Sequence, residues 1–142
     1  MDAEAVTLVW RVRDSLVAYM SVDPAFEVEV VGEASFSPEA GVRLPARRLP
    51  DGRIVAEGGV ILRAHGGALQ IPLVDVRVED GALWVRDPED AERGLRLVTV
   101  APSAAGGADV FDTALAPEAD LLFMYNYAPG VPFAPLSVEA AV

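Results

Sequence analysis

The side chains with the clearest chemical potential are Ser15, Tyr19 and His65. Ser15 and Tyr19 stand four apart in Asp14-Ser-Leu-Val-Ala-Tyr19, which puts them one above the other on a helix face. A hydroxyl and a phenol presented together can form a ligand site; they can equally be an edge of the core. His65 is the single histidine and sits in Ala64-His-Gly-Gly67. One histidine excludes a multi-His metal site within the chain. An imidazole beside two glycines is ordinarily a turn residue. Phe123, Tyr125 and Tyr127 form an aromatic group near the C-terminal end, a pattern more often packing than a ligand platform.

Composition removes most other chemistry. The 142 residues include no cysteine and no lysine, all 11 basic residues being arginine. Thiolate sites, Cys nucleophiles, Schiff bases and a Walker A loop are therefore excluded. There is no Gly-x-Ser-x-Gly elbow and no His-Glu-x-x-His. Twenty-two carboxylates always allow some acid–base pair to be nominated, and spacing selects none of them. Asp87, Glu89 and Asp90 lack the spacing of a calcium loop and read as a solvated loop. The net charge of −11 repels phosphate backbones and anionic lipid, so nucleic acid is not an expected partner. No apolar run is long enough to cross a bilayer. Met1-Asp-Ala-Glu-Ala5 lacks the basic and apolar regions of a signal peptide, so a cytoplasmic location is expected.

The elements that must position these residues read as mostly strands in one domain over 1–142. Val6, Leu8, Trp10 and Val12 alternate, and the period becomes helical from Asp14, a predicted N-cap. Ser21-Val-Asp-Pro24 stops that helix. Phe26, Val28 and Val30 alternate with two glutamates, a strand with one wet side. Val42 to Arg53, with two prolines, reads as an irregular or edge segment. Ile54 to Arg63 is apolar, and its Gly58-Gly59 pair suggests a bulge or the close approach of another group. Leu69-Gln-Ile-Pro-Leu73 and Val74 to Val78 alternate on shifted parity, suggesting a bulge near Leu73. Glu79-Asp-Gly81 reads as a hairpin turn, and Ala116 to Met124 as a short helix with Pro117 in its first turn. The predicted architecture is mainly β: a two-sheet antiparallel sandwich or partly open barrel with short helices near the N- and C-terminal ends.

Four segments, in order, resemble the HtaA domain of haem-binding and haem-transport proteins of actinobacteria. They are Trp10-x-Val12-x-x-Ser15-x-x-x-Tyr19, the run from Gly59 to Val78 with its His65-Gly-Gly67 turn, the hairpin Glu79 to Val85, and Tyr127-Ala-Pro-Gly130 with Pro132 to Ser137. Ala64 stands where the family turn usually has glycine, and Asn126 where an aromatic often precedes the final tyrosine. The resemblance implies a non-enzymatic domain that binds ferric haem b for capture or for transfer to another haem carrier. It implies Tyr19 as the axial ligand, His65 as its hydrogen-bond partner and Ser15 at a propionate. Phe123, with Tyr125 next, is implied as the aromatic that stacks on the porphyrin.

That assignment is chemically coherent. A free phenol titrates near pH 10, so it is neutral at pH 7. A metal cation beside it favours the phenolate, and an imidazole hydrogen bond fixes the direction of that oxygen. The alternative is a domain of the same fold that has lost haem and serves as an interaction or structural module. An enzyme with paired carboxylates has no positive support in the sequence.

Overall fold

The computed structural model describes residues 3–103, 109–123 and 127–140. The chain opens with strand β1 (Glu4–Trp10) and turns directly into helix α1 (Asp14–Ser21). Val6, Leu8 and Trp10 of β1 are buried on one face, as the alternation requires. The change of period falls at Val12, which has a left-handed backbone (φ 64°) and a fully buried side chain. A β-branched residue there costs on the order of 1–3 kcal/mol. It is retained because its side chain fills the core and its carbonyl accepts the Ala134 N–H at 2.8 Å. The N-cap is Arg13 rather than the expected Asp14: Arg13 is extended, and its carbonyl accepts the Val17 N–H at 3.0 Å. Asp14 is the first helical residue and pairs with Arg11 at 3.2 Å. Its charge still favours the positive helix end.

The remaining strands are β2 (Glu27–Val31), β3 (Ser35–Ser37), β4 (Gly41–Arg48), β5 (Ile54–Ala56), β6 (Gly59–Ala64), β7 (Leu69–Val74), β8 (Arg77–Glu79), β9 (Ala82–Asp87), β10 (Asp90–Pro102), β11 (Val110–Leu115) and β12 (Pro132–Ala140). A 3-10 turn spans His65–Gly67, and a 3-10 segment spans Pro117–Phe123. Eight strands close in the order β1-β12-β11-β10-β9-β8-β5-β4 and back to β1, every neighbouring pair antiparallel. The architecture is thus mainly β, as expected, and of the two expected forms it is the barrel, closed rather than partly open and with added strands, instead of the two-sheet sandwich. Closure comes from β1, which is hydrogen-bonded on both edges: Leu8 stands opposite Val138 of β12 and Leu44 of β4. A closed ring leaves no free edge. β3 extends β4, and β2-β6-β7 form a separate three-stranded sheet that adds Val60, Leu62, Ile71 and Leu73 to the same core.

Three segments differ from their sequence reading, each for a local reason. The run holding Pro45 is a full strand, β4, rather than an irregular segment. The Pro45 carbonyl accepts the Glu57 N–H at 2.7 Å, on the side facing β3 and β5. β3 pairs with 41–43 and β5 with 46–48, so the missing N–H of Pro45 falls in the gap between them and no ladder bond is lost. The parity slip near Leu73 is a change of sheet rather than a bulge. β7 belongs to the three-stranded sheet and β8 to the barrel, and Asp75 between them is left-handed (φ 54°). β2 has no buried face: Val28, Val30 and Val31 are all exposed.

The Gly58-Gly59 pair is a close approach, and also the crossing from β5 to β6. A Cβ on Gly58 (φ 73°) would lie 2.3 Å from the Val31 carbonyl oxygen, and one on Gly59 2.5 Å from that of Leu73. Gly58→Ala is therefore expected to destabilise the fold by on the order of 2–4 kcal/mol, from the left-handed penalty plus overpacking. A lowered urea midpoint at unchanged slope is the expected readout; a midpoint equal to the parent's would remove this account.

Candidate ligand-binding site

Helix α1 lays Leu16, Val17 and Met20 into the core and leaves Tyr19 on its rim. Tyr19 is 55% exposed, unusually open for a large aromatic side chain. Its hydroxyl nevertheless has a partner, His65 Nε2, at 2.8 Å. The two residues are 46 apart in sequence. They meet because β6 delivers the His65–Gly67 turn beside the end of α1. Ala64, the last residue of β6, is extended (φ −143°) and fully buried, so the turn needs no glycine there. His65 itself is left-handed (φ 56°), and Gly66 and Gly67 continue the turn at positive φ.

A third residue completes the contact. Asp23 follows α1 in the Ser21-Val-Asp-Pro24 turn. Its Oδ2 accepts the His65 backbone N–H at 2.6 Å and lies 3.3 Å from the ring Nδ1. Its Oδ1 accepts the Ala25 N–H at 2.9 Å. The Ala25 N–H first, and the His65 N–H next, hold the Asp23 carboxyl below its ordinary range. Carboxylate, imidazole and phenol thus form a line, with the phenol at the open end.

Beside Tyr19 lies a groove of about 320 Å³ lined by Leu16, Tyr19, Leu69, Phe123 and Tyr127. Leu16 comes from α1, Leu69 from the start of β7, and Phe123 from the end of the 3-10 segment. Phe123 is only 1% exposed. It meets Tyr127 at 5.9 Å and Phe133 at 5.3 Å between ring centroids, both edge to face. It therefore forms the floor of the groove, and the half-buried Tyr127 is the more accessible ring. The Arg13 guanidinium lies 5.0 Å from the Tyr127 ring centroid, a cation–π contact. Ser15 is exposed in the first turn of α1 and does not line the groove; Leu16 takes that place. Tyr125 lies outside the described residues. Among the described residues, no cluster of three or more His, Cys, Asp and Glu side chains could hold a metal ion, and no helix is long and apolar enough to cross a membrane.

No family model matches the chain, and no curated protein matches it in sequence. Solved structures do. The N-terminal domain of HtaA from Corynebacterium glutamicum superposes with a TM-score of 0.74 over 100% of both chains, at 18% identity. The C-terminal domain of the same HtaA gives 0.69 at 17% identity, over 97% of this chain and 96% of that one. The chain has the fold of an HtaA domain. The haem-binding protein HtaB from the same organism also shares that fold, with a TM-score of 0.67 at 16% identity over 97% of this chain and 94% of its own. Within this HtaA-like fold, three of the four sequence landmarks reach the groove: Tyr19 from the first, Leu69 from the second and Tyr127 from the fourth, while His65 of the second stands behind Tyr19. The third landmark, the β8–β9 hairpin, contributes no lining residue.

Sequence reasoning missed Asp23, Leu16 and Leu69, and it set Tyr127 aside as packing. Tyr127 heads the Tyr127-to-Gly130 closing segment, and Leu16 and Leu69 lie within the first and second landmarks, whereas Asp23 lies in none of the four.

Proposed function

We propose that this domain binds ferric haem in the groove beside α1, with the Tyr19 oxygen as axial ligand and His65 as the partner that orients it. The observation that carries the reading is the Tyr19–His65 contact at 2.8 Å on the wall of an open groove lined by aliphatic and aromatic side chains. A tyrosine that merely edged the core would be largely buried, and its hydroxyl would need no imidazole held in a left-handed turn. The residues fit the group by chemistry: an oxygen donor, a nitrogen base beside it, and aliphatic and aromatic walls for a flat apolar ring. Ferric haem supplies an iron that favours phenolate over phenol. This chain supplies the oxygen, its orientation and the dry walls. A single oxygen ligand on an exposed helix rim suits capture and handover to another haem carrier. The HtaA-like fold, shared with a haem-binding protein, supports the same reading.

The test is a titration of the purified domain with ferric haem. An intense, shifted Soret band saturating at one haem per chain is expected, and a spectrum indistinguishable from free haem would sink the proposal. A second reading, an interaction module on the same fold, draws on the exposed Val28, Val30 and Val31 of β2. It gains only if no haem is bound.

A further inference from the structure

We infer that Asp23 is the positioning residue of this site: it sets both the backbone and the ring of His65 so that Nε2, carrying no hydrogen, faces the Tyr19 oxygen. The inference deepens the haem reading, because what Asp23 positions is the partner of the proposed axial ligand. One carboxylate oxygen accepts the His65 backbone N–H at 2.6 Å and places its charge 3.3 Å from the ring Nδ1. The same carboxylate is anchored to its own turn through the Ala25 N–H. Its side chain is only 14% exposed, whereas that of His65 is 40% exposed.

His65 needs such a hold. It is a non-glycine residue at φ 56°, a conformation that persists only where its surroundings impose it. The two glycines that follow offer no support, since a Cβ on Gly66 or Gly67 would meet nothing within 4 Å. The Asp23 bond is thus a link that ties the turn to the end of α1, and so to Tyr19 four residues earlier. An ionised carboxylate only accepts, so its charge 3.3 Å from Nδ1 favours the tautomer with the hydrogen on that nitrogen. In the neutral ring the lone pair is then on Nε2, aimed at the phenol. Without Asp23 the ring is free to exchange tautomers and the turn to relax.

His65 is the only histidine in the chain, so its ring nitrogens can be read without ambiguity. Long-range proton–nitrogen spectra of the haem-free protein, taken well above the ordinary imidazole pKa of about 6.5, are expected to show the Nδ1–H tautomer. Asp23→Ala should give a mixture. Asp23→Ser should do the same while keeping the turn, because its hydroxyl can still accept the Ala25 N–H but is too short to reach the ring; it serves if the alanine variant fails to fold. Release of bound haem to apomyoglobin should be roughly 10-fold faster in either variant, the lower end of what outer-shell ligand partners contribute. An unchanged tautomer in both variants overturns the inference. So does a parental release rate in a variant of a protein that binds haem. A parent that binds no haem defeats the functional proposal instead, and the tautomer measurement alone then decides the role of Asp23.

Discussion

Tyr19→Phe is expected to abolish most of the ferric-haem Soret shift while leaving the fold unchanged. The two halves of that expectation have separate causes. Tyr19 is exposed and its ring stays in place in the variant, so stability loses one exposed hydrogen bond, worth about 1 kcal/mol or less. Binding loses the one lining phenol whose oxygen is held by His65. Removing an outer-shell partner of a metal ligand costs roughly 10- to 100-fold in affinity; removing the ligand itself should exceed that. His65→Ala makes the useful contrast. It keeps the phenol and removes what orients it, so it should retain a Soret band but fall within that 10- to 100-fold range. Parallel haem titrations and thermal melts separate the two effects. A Tyr19→Phe protein with the parental spectrum would show that iron is held elsewhere, and the groove would need another occupant.

The same residues show how far the sequence could be read. The switch from strand to helix before Asp14 was legible because both periods lie within a dozen residues. So was the shared helix face of Ser15 and Tyr19, but not the exposure of Tyr19, since an edge of the core fitted the spacing equally well. The meeting of Tyr19 with His65 was not visible in any spacing and entered only through the resemblance to HtaA domains. Asp23 was invisible to both: an Asp-Pro pair after a helix is an ordinary stop, and its main partner lies 42 residues on. Barrel closure was hidden for the same reason. Whether β1 pairs with one neighbour or two depends on β4 and β12, and nothing within β1 encodes it. Pro45 argued against β4 because the gap that accommodates it exists only once β3 and β5 are in place. Phe123, implied as the stacking aromatic, lines the groove, but its burial puts it beneath the surface that a flat ligand would meet.

Trp10→Ala should be the most damaging single change to the fold, and it should also weaken the site without touching it. Trp10 ends β1 opposite Leu136 of β12 and Val42 of β4, so its indole sits at the seam where the barrel closes. It is 3% exposed, stacks on Phe133 at 6.3 Å, and donates from Nε1 to the Ala134 carbonyl at 2.8 Å. Truncating a buried aromatic of this size costs about 3–5 kcal/mol, a large share of a small domain's stability. Trp10→Phe should cost much less, about 1–2 kcal/mol, because the Ala134 carbonyl keeps a second donor, the Thr113 hydroxyl at 2.7 Å. The damage then travels along a continuous aromatic row: Phe133 packs against both Phe123 and Tyr127, the floor and the accessible wall of the groove. A cavity at Trp10 lets Phe133 shift, and the groove loses its shape while Tyr19, His65 and Asp23 remain chemically intact. Urea unfolding should therefore rank parent, Trp10→Phe and Trp10→Ala in that order, and haem release rates should follow the same rank. If Trp10→Ala unfolds early yet, while folded, releases haem at the parental rate, the aromatic row does not transmit and the groove is built by its own side chains alone.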